Sequence, residues 1–120
     1  MKSAAHNIPA EKLALYEKLL ATNPTIVRKG AANPYTAVNG HMFTLMGPTG
    51  TLALRLPQEA REQFLKKYKT VLFVSHGHTM PEFVAVPEGL LKNTKALAPY
   101  LAMSYAWVAG LKPKPARRKG

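Results

Sequence analysis

The sequence predicts an α+β domain built around an antiparallel sheet, and two turn signals with the alternating residues around them carry this prediction. Asn39-Gly40 is typical of a two-residue hairpin loop, because a type I′ turn needs positive φ at both central residues. Gly47-Pro48-Thr49-Gly50 is a second turn, whose proline fixes φ. Apolar and polar residues alternate around both turns, as in half-buried strands. Three antiparallel strands are therefore expected between Tyr35 and Leu56.

The two turns, taken as loops of two and four residues, also predict which side chains share a face of the sheet. Val38 is expected opposite His41 and Thr36 opposite Phe43. The second turn places Leu45 opposite Leu52, Phe43 opposite Leu54 and His41 opposite Leu56. One face would carry Phe43, Leu45, Leu52, Leu54 and Leu56. The other would carry Met42, Thr44, Ala53 and Arg55. A slip of one residue would exchange the two faces, because strand side chains alternate.

Helices are expected before and after this meander. Residues 1–8 are expected to be a flexible leader, and Pro9 begins a helix with an apolar stripe that Asn23-Pro24 ends. Thr25–Lys29 is expected to be a short edge strand. Pro57 begins a second helix, in which glutamates come early and lysines late, in the order that suits the helix dipole.

The second half of the chain is expected to complete the sheet. The apolar run Val71–Val74 and the segment Glu82–Val86 are predicted strands, joined by a loop at 75–79. A single helical turn is predicted at Pro87–Leu91.

The last helix is unusual because it is apolar on more than one side. It is expected to begin at a cap formed by Asn93 or Thr94, to contain Pro99 and to end near Leu111. One stripe, which can pack on the sheet, consists of Leu97, Leu101, Tyr105 and Val108. A second stripe consists of Tyr100, Met103, Trp107 and Leu111. This second stripe is the candidate protein-contact face, which a second helix of the chain or another chain, as in a homodimer, would cover.

The charge of the chain is strongly positive. Its 120 residues are expected to form one domain, residues 9–111, followed by a disordered basic tail, residues 112–120. There are 17 lysines and arginines against 6 acidic residues, for a net charge of +11. This charge favours polyanions such as nucleic acid, although the aromatic residues are not interleaved with cations as in a base-stacking surface. The candidate basic surface consists of Arg28, Lys29, Arg55, Lys66, Lys67 and Lys69.

Composition excludes several classes of function. The chain has no cysteine, which excludes disulfides, thiol catalysis and thiolate metal sites. The N-terminus lacks a signal pattern, so a cytoplasmic location is expected. The longest apolar run, Ala96–Leu111, is interrupted by Pro99 and Gly110 and is shorter than the roughly 20 residues of a membrane span, so no membrane partner is expected.

The residues that could support chemistry do not form a recognisable catalytic or metal-binding pattern. His41, His76 and His78 would need to converge to hold a metal, and no Asp or Cys completes a ligand set. Ser75 and His76 are adjacent in sequence, which does not place the hydroxyl on the imidazole. We therefore assign no catalytic residue, metal or cofactor, and expect a protein that is not an enzyme.

Four segments carry a resemblance to a known family. They are Asn39-Gly40-His41-Met42-Phe43; Leu52-Ala53-Leu54-Arg55-Leu56 with the helix after it; Phe83-Val84-Ala85-Val86-Pro87-Glu88 with Leu90-Leu91; and Tyr100-Leu101 with Ser104-Tyr105. Over about residues 10–112 the chain resembles the TfoX N-terminal domain family and its small single-domain relatives. The matching residues are mostly core and turn residues, so the resemblance informs the fold more than the function.

The resemblance implies a first helix, a mainly antiparallel sheet and C-terminal helices packed on it. Full-length regulators of the family act in bacterial competence and carry a second domain, which this chain is not expected to accommodate. Their Arg-Lys-Met-Phe-Gly run is also altered, since Arg28-Lys29 is followed here by residues 30–33, Gly-Ala-Ala-Asn. The expected function is a non-enzymatic regulatory or protein-interaction module, and the alternative is a basic nucleic-acid-binding module.

Overall fold

The computed structural model describes residues 8–30, 34–47, 49–75 and 77–113. In these ranges the elements are α1 (Ala10–Leu20), β1 (Tyr35–Val38), β2 (His41–Met46), β3 (Leu52–Arg55), α2 (Gln58–Lys67), β4 (Leu72–Ser75), β5 (His78–Val86), α3 (Glu88–Leu91) and α4 (Thr94–Ala109). The predicted α+β class, with an N-terminal helix, an antiparallel sheet and C-terminal helices packed on it, is confirmed. Most of the predicted leader and tail, at 1–7 and 114–120, lies outside the described residues.

The strands of the described ranges form one antiparallel sheet in the order β1-β2-β3-β5-β4. One face, called here the helix face, forms the main core with side chains from all the helices of these ranges. The helices contribute residues such as Tyr16, Phe64, Leu91 and Leu101. The opposite face, called here the open face, is a smaller apolar cluster made of strand residues: Met42, Leu45, Ala53, Phe73, Met80, Phe83 and Ala85.

The observed faces agree with the prediction for most residues and correct it for two. Val38 lies opposite His41 as expected. Phe43, Leu52, Leu54 and Leu56 all lie in the helix-face core, and Met42 and Ala53 belong to the open face. The prediction is wrong for Leu45, which packs on the open face, and for Thr44, which is buried and hydrogen-bonded to Tyr16 of α1.

Two irregularities in β2 explain these errors. Met46 lies opposite Leu52, whereas the predicted four-residue loop would place it opposite Thr51, so the register across the second turn is shifted by one residue. Thr44 therefore lies opposite Leu54 and Leu45 opposite Ala53, and the predicted pairs of Leu45 with Leu52 and Phe43 with Leu54 are wrong. A bulge between β1 and β2 offsets this shift by one residue on the N-terminal side of Thr44. Thr36 lies opposite Thr44 and Ala37 opposite Met42, which leaves Phe43 as the extra residue and on the helix face.

Several element boundaries also differ from the prediction. Thr25–Lys29 is not a strand, because its contact with β1 is one isolated bridge between Lys29 and Tyr35. β5 begins at His78, which pairs with Ser75, so the loop predicted at 75–79 is much shorter. The single helical turn before α4 is confirmed, and α4 ends at Ala109 rather than near Leu111.

Candidate interaction surface

The second stripe of α4 is partly covered within the chain by α2. The Tyr100 ring packs edge-on against Phe64 of α2, with 5.1 Å between ring centroids, and Tyr68 lies 6.0 Å away. Partial burial beside these rings raises the pKa of Tyr100. A second helix of the same chain therefore covers this end of the stripe.

The other end of the stripe packs on the sheet. The guanidinium carbon of Arg55 lies 5.4 Å from the centre of the Trp107 ring. Leu111 packs against the helix-face core. Met103 differs from these residues, because it is 39% exposed. Met103 is thus the member of the predicted contact face that is most open to a partner.

Arg55 is held in place by several elements and is little exposed. Its Nε and Nη2 both contact Oε1 of Glu82, at 2.7 and 2.6 Å, and its Nη1 donates to the Met42 carbonyl at 3.3 Å. The ring of Phe83 lies 6.0 Å from the guanidinium carbon. Since the side chain is only 18% exposed, these contacts connect β2, β3, β5 and α4 rather than present a free cation.

The six cations predicted as a basic surface are not brought together. Arg55 is paired as described, and Arg28 lies 3.3 Å from Glu17. Lys29 lies beside β1, at one edge of the sheet. Lys66, Lys67 and Lys69 are exposed and come just before β4 in the sequence. β4 forms the other edge of the sheet, four strand spacings of about 4.8 Å from β1.

The end of α4 is tied to the first hairpin by two side chains. The Asn39 amide donates to the Ala109 carbonyl at 2.8 Å, and Nε2 of His41 lies 2.8 Å from the Lys112 carbonyl oxygen. His41 thus has a structural contact. His76 lies outside the described residues, so the convergence of the three histidines stays untested. The described residues contain no group of three potential ligands that could hold a metal ion.

A chain of buried hydroxyls lies between α1 and the first two strands. The Tyr16 hydroxyl is 2.7 Å from Oγ1 of Thr44, which is 2.6 Å from Oγ1 of Thr36. All three residues are 0% exposed, and desolvation raises the pKa of Tyr16 to about 12. This network could not be predicted from the sequence, because the two threonines become neighbours only through the bulge. Its burial excludes contact with a substrate in this conformation.

The open face is an apolar surface that the sequence pattern did not predict as an interaction site. Ala53 pairs with Ala85 at its centre, and the Phe73 ring reaches Gly47, where an added Cβ would be 3.2 Å from the Phe73 Cζ. Met42, Leu45 and Met80 are half-buried around this centre. Small central residues and larger peripheral ones produce a shallow apolar surface.

Two grooves border the open face. One, of about 570 Å³, is lined by His41, Met42, Arg55, Met80 and Phe83 among others. The other, of about 340 Å³, runs beside β4 and includes Gly47, Thr51, Val71, Phe73 and Ala85. Val71 and Val74 are 67% and 55% exposed at this margin. The apolar surface thus continues to the edge of the sheet.

A separate cavity of about 1010 Å³ lies where α1, α3 and α4 meet. Its lining includes Lys18, Lys92 and Lys95 and an apolar wall of Ala98 and Ala102. None of the described residues that line it is acidic. This arrangement can attract an anion by its charge. The cap of α4 is already satisfied there, because Oδ1 of Asn93 accepts a hydrogen bond from the Ala96 N–H at 3.1 Å.

Comparison of the chain with protein-family models, with curated proteins and with solved structures gives no match in any of the three. In the part of the chain that the structure covers, no helix is both long enough and apolar enough to cross a membrane. The resemblance to the TfoX N-terminal domain family therefore rests on the sequence segments that carry it.

Proposed function

We propose that this chain is a non-enzymatic protein-interaction module of the TfoX N-terminal domain type that acts in the cytoplasm. The observation that carries the proposal is the open face, which no helix of the described residues covers and which half-buried apolar side chains border. Apolar surfaces of this kind with polar margins are typical of protein-interaction sites. The predicted contact face on α4 supports it less, because α2 and Arg55 already occupy Tyr100 and Trp107.

The contacts of the polar side chains support the proposal that the chain is not an enzyme. Arg55 and Glu82 bind each other, His41 contacts a backbone carbonyl, and Tyr16 is closed off from solvent. Catalysis usually needs such groups to be directed at a cavity where a substrate can reach them. His41, Arg55 and Glu82 line the groove of about 570 Å³, but the ion pair of Arg55 with Glu82 and the contact of His41 with the Lys112 carbonyl engage them within the fold.

Capture of partners from the source cells after mild crosslinking tests the proposal. Met80→Glu places a charge on the open face, Trp107→Glu places one on the α4 face, and Val27→Glu is the matched control at a position 66% exposed elsewhere. We expect a protein captured in stoichiometric amount by the wild type and by Val27→Glu to be lost with Met80→Glu.

The two other outcomes are equally informative. Loss of the captured protein with Trp107→Glu alone would show that the contact lies on α4, where a second copy of the chain is the simplest partner. A capture pattern that is identical for all four proteins would contradict the proposal, provided that circular dichroism shows each variant to be folded.

A nucleic-acid-binding module is the second candidate. The observation in its favour is the cavity lined by Lys18, Lys92 and Lys95, added to the net charge of +11. Cations that contact phosphates contribute affinity without sequence specificity. The separation of Lys29 from Lys66, Lys67 and Lys69 at opposite edges of the sheet counts against a single large contact surface.

A further inference from the structure

Strand β4 forms an edge of the sheet. Hydrogen bonds and residue pairs at both of its ends show which of its backbone groups face β5 and which face outward. The Ala85 N–H donates to the Val71 carbonyl at 2.9 Å, so the backbone of Val71 is directed inward, toward β5. At the other end Ser75 pairs with His78 across a two-residue turn, which also directs Ser75 inward. The register with β5 shifts between Leu72 and Val74, but the bond at Val71 and the pair at Ser75 give the same alternation from either side of the shift. Leu72 and Val74 therefore direct their N–H and C=O groups outward.

The two edges of the sheet differ in how they are protected. At β1, the Lys29 N–H donates to the Tyr35 carbonyl at 2.8 Å and the Tyr35 N–H donates to the Lys29 carbonyl at 3.0 Å. Among the residues that the structure describes, none makes a corresponding hydrogen bond with the outward groups of Leu72 or Val74. Among the described residues the edge at β1 is thus covered at Tyr35, whereas β4 has no such partner along its length and a further strand can pair with it.

The side chains along β4 suit such a strand. Exposed edges are commonly protected by charges, prolines or bulges on the edge strand itself, yet β4 reads Leu-Phe-Val-Ser after Val71. Its pairing with β5 is irregular between Leu72 and Val74, but the extra residues of this irregularity belong to β5 and not to β4. Val71 and Val74 are 67% and 55% exposed, and they lie on opposite faces because they are three residues apart in a strand. The groove of about 340 Å³ beside Val71 and Phe73 offers space for a side chain of the added strand.

The charge around this edge indicates the chemistry of the partner. Lys66, Lys67 and Lys69 precede β4, and the sequence contains no acidic residue from Gln63 to Pro81. An added strand with acidic side chains would meet uncompensated cations at this end. A second copy paired through its own β4 would bring no acidic residue from positions 63–81, so it fits this edge less well.

We propose that β4 binds an extended acidic peptide segment by strand addition. The peptide backbone pairs with Leu72 and Val74, its side chains cover Val71 on one face and Val74 on the other, and its carboxylates lie near Lys66, Lys67 and Lys69. Strand addition obtains affinity from main-chain hydrogen bonds and specificity from side-chain pockets and charge. This inference rests on the proposed function and gives it a site and a class of partner.

The test uses two labelled octapeptides in fluorescence anisotropy with the full chain. Both alternate valine and threonine at their centre; one is flanked by glutamates and the other by lysines. We expect the glutamate peptide to bind at least tenfold more tightly, and its affinity to fall at higher salt. Backbone amide exchange, followed by NMR, should slow at Leu72 and Val74 when this peptide binds.

Two pairs of variants locate the contact. Val74→Pro removes an outward N–H without removing a bond to β5, and Val27→Pro is the control at an exposed valine outside the elements of regular structure. Lys66→Glu/Lys67→Glu reverses the charge beside β4, and Lys92→Glu/Lys95→Glu makes the same change beside the cavity of α4. We expect the first member of each pair to weaken binding at least tenfold and the second to change it less than threefold.

Equal binding of the two peptides, no binding up to 1 mM, or slowed exchange at amides outside β4 would overturn the inference. So would a concentration-dependent dimer that protects the amides of Leu72 and Val74, since the occupant would then be a second copy. If the peptides fail while Met80→Glu still loses a captured partner, the inference is wrong and the proposed function stands. If both tests fail, the proposed function is wrong as well.

Discussion

Three buried hydroxyls meet where α1 packs on β1 and β2, in a core that is mostly apolar. A buried hydroxyl costs free energy unless it is hydrogen-bonded, and Tyr16, Thr44 and Thr36 bond to one another at 2.7 and 2.6 Å. The bulge at Phe43 makes this possible, because it places Thr36 opposite Thr44, which bonds to Tyr16. The network therefore links the position of α1 to one particular register of the first hairpin.

The titration of Tyr16 should make stability depend on pH in the alkaline range. Burial raises the pKa of Tyr16 to about 12 from an ordinary value of 10.0, so deprotonation is easier in the unfolded chain. The stabilisation is complete below pH 10 and is lost between about pH 10 and 12, at about 1.4 kcal/mol per pH unit.

Urea unfolding of the wild type and of Tyr16→Phe at several pH values checks this prediction. Near pH 8 the variant should be less stable by about 1 kcal/mol, because it lacks the hydrogen bond to Thr44. Between pH 10 and 11 the difference should narrow, since only the wild type loses the contribution of Tyr16. A difference that stays constant with pH would contradict the account.

At the scale of elements, the main question is how α4 can be apolar on several sides. Leu97, Leu101 and Val108 are 0% exposed against the sheet, and Phe64 of α2 covers Tyr100. At its far end Arg55 lies over Trp107, and Asn39 and His41 hold the backbone. The helix is thus covered by a second helix and by polar side chains from the strands.

Arg55 should contribute more to stability than Arg28, which is paired with Glu17. Arg55→Met removes the contacts with Glu82, the Met42 carbonyl and Trp107, and we expect it to lower the free energy of unfolding by about 1–2 kcal/mol. Arg28→Met is the control. That pair lies at 3.3 Å with side chains 33% and 52% exposed, so its loss should cost less than about 0.5 kcal/mol.

Chemical denaturation measures both values, and the Trp107 fluorescence of the folded state reports whether the aromatic contact is lost. Equal effects of the two substitutions would show that Arg55 is an ordinary surface charge. Adding Glu82→Gln to Arg55→Met should recover part of the loss, because the carboxylate would no longer lack its partner.

At the scale of the whole molecule, the positive charge is spread over several surfaces. Lysines line the cavity between the helices, other lysines precede β4, and the C-terminal tail carries further cations. A polyanion would meet these groups separately. An acidic protein segment would need only one of these groups of cations, which is the physical reason for preferring a protein partner.

A salt titration separates the two candidate functions. If nucleic acid is the ligand, random duplex DNA should bind with an affinity that falls steeply with salt and that Lys18→Gln/Lys92→Gln/Lys95→Gln weakens further. We expect instead that removal of residues 112–120 abolishes most DNA binding and that the triple substitution changes it less than threefold. Strong DNA binding by the truncated chain, lost in the triple variant, would favour the second candidate.

The sequence by itself determined the fold class, the first hairpin turn, a cap of α4 at Asn93 or Thr94 and the helix-face positions of Phe43, Leu52, Leu54 and Leu56. These features depend on local backbone preferences and on apolar periodicity, which neighbouring residues encode. The tertiary structure alone decided the bulge, the faces of Thr44 and Leu45, the partners of Arg55 and the open edge at β4. They depend on loop length, strand order and the packing of residues far apart in sequence, which no local pattern specifies.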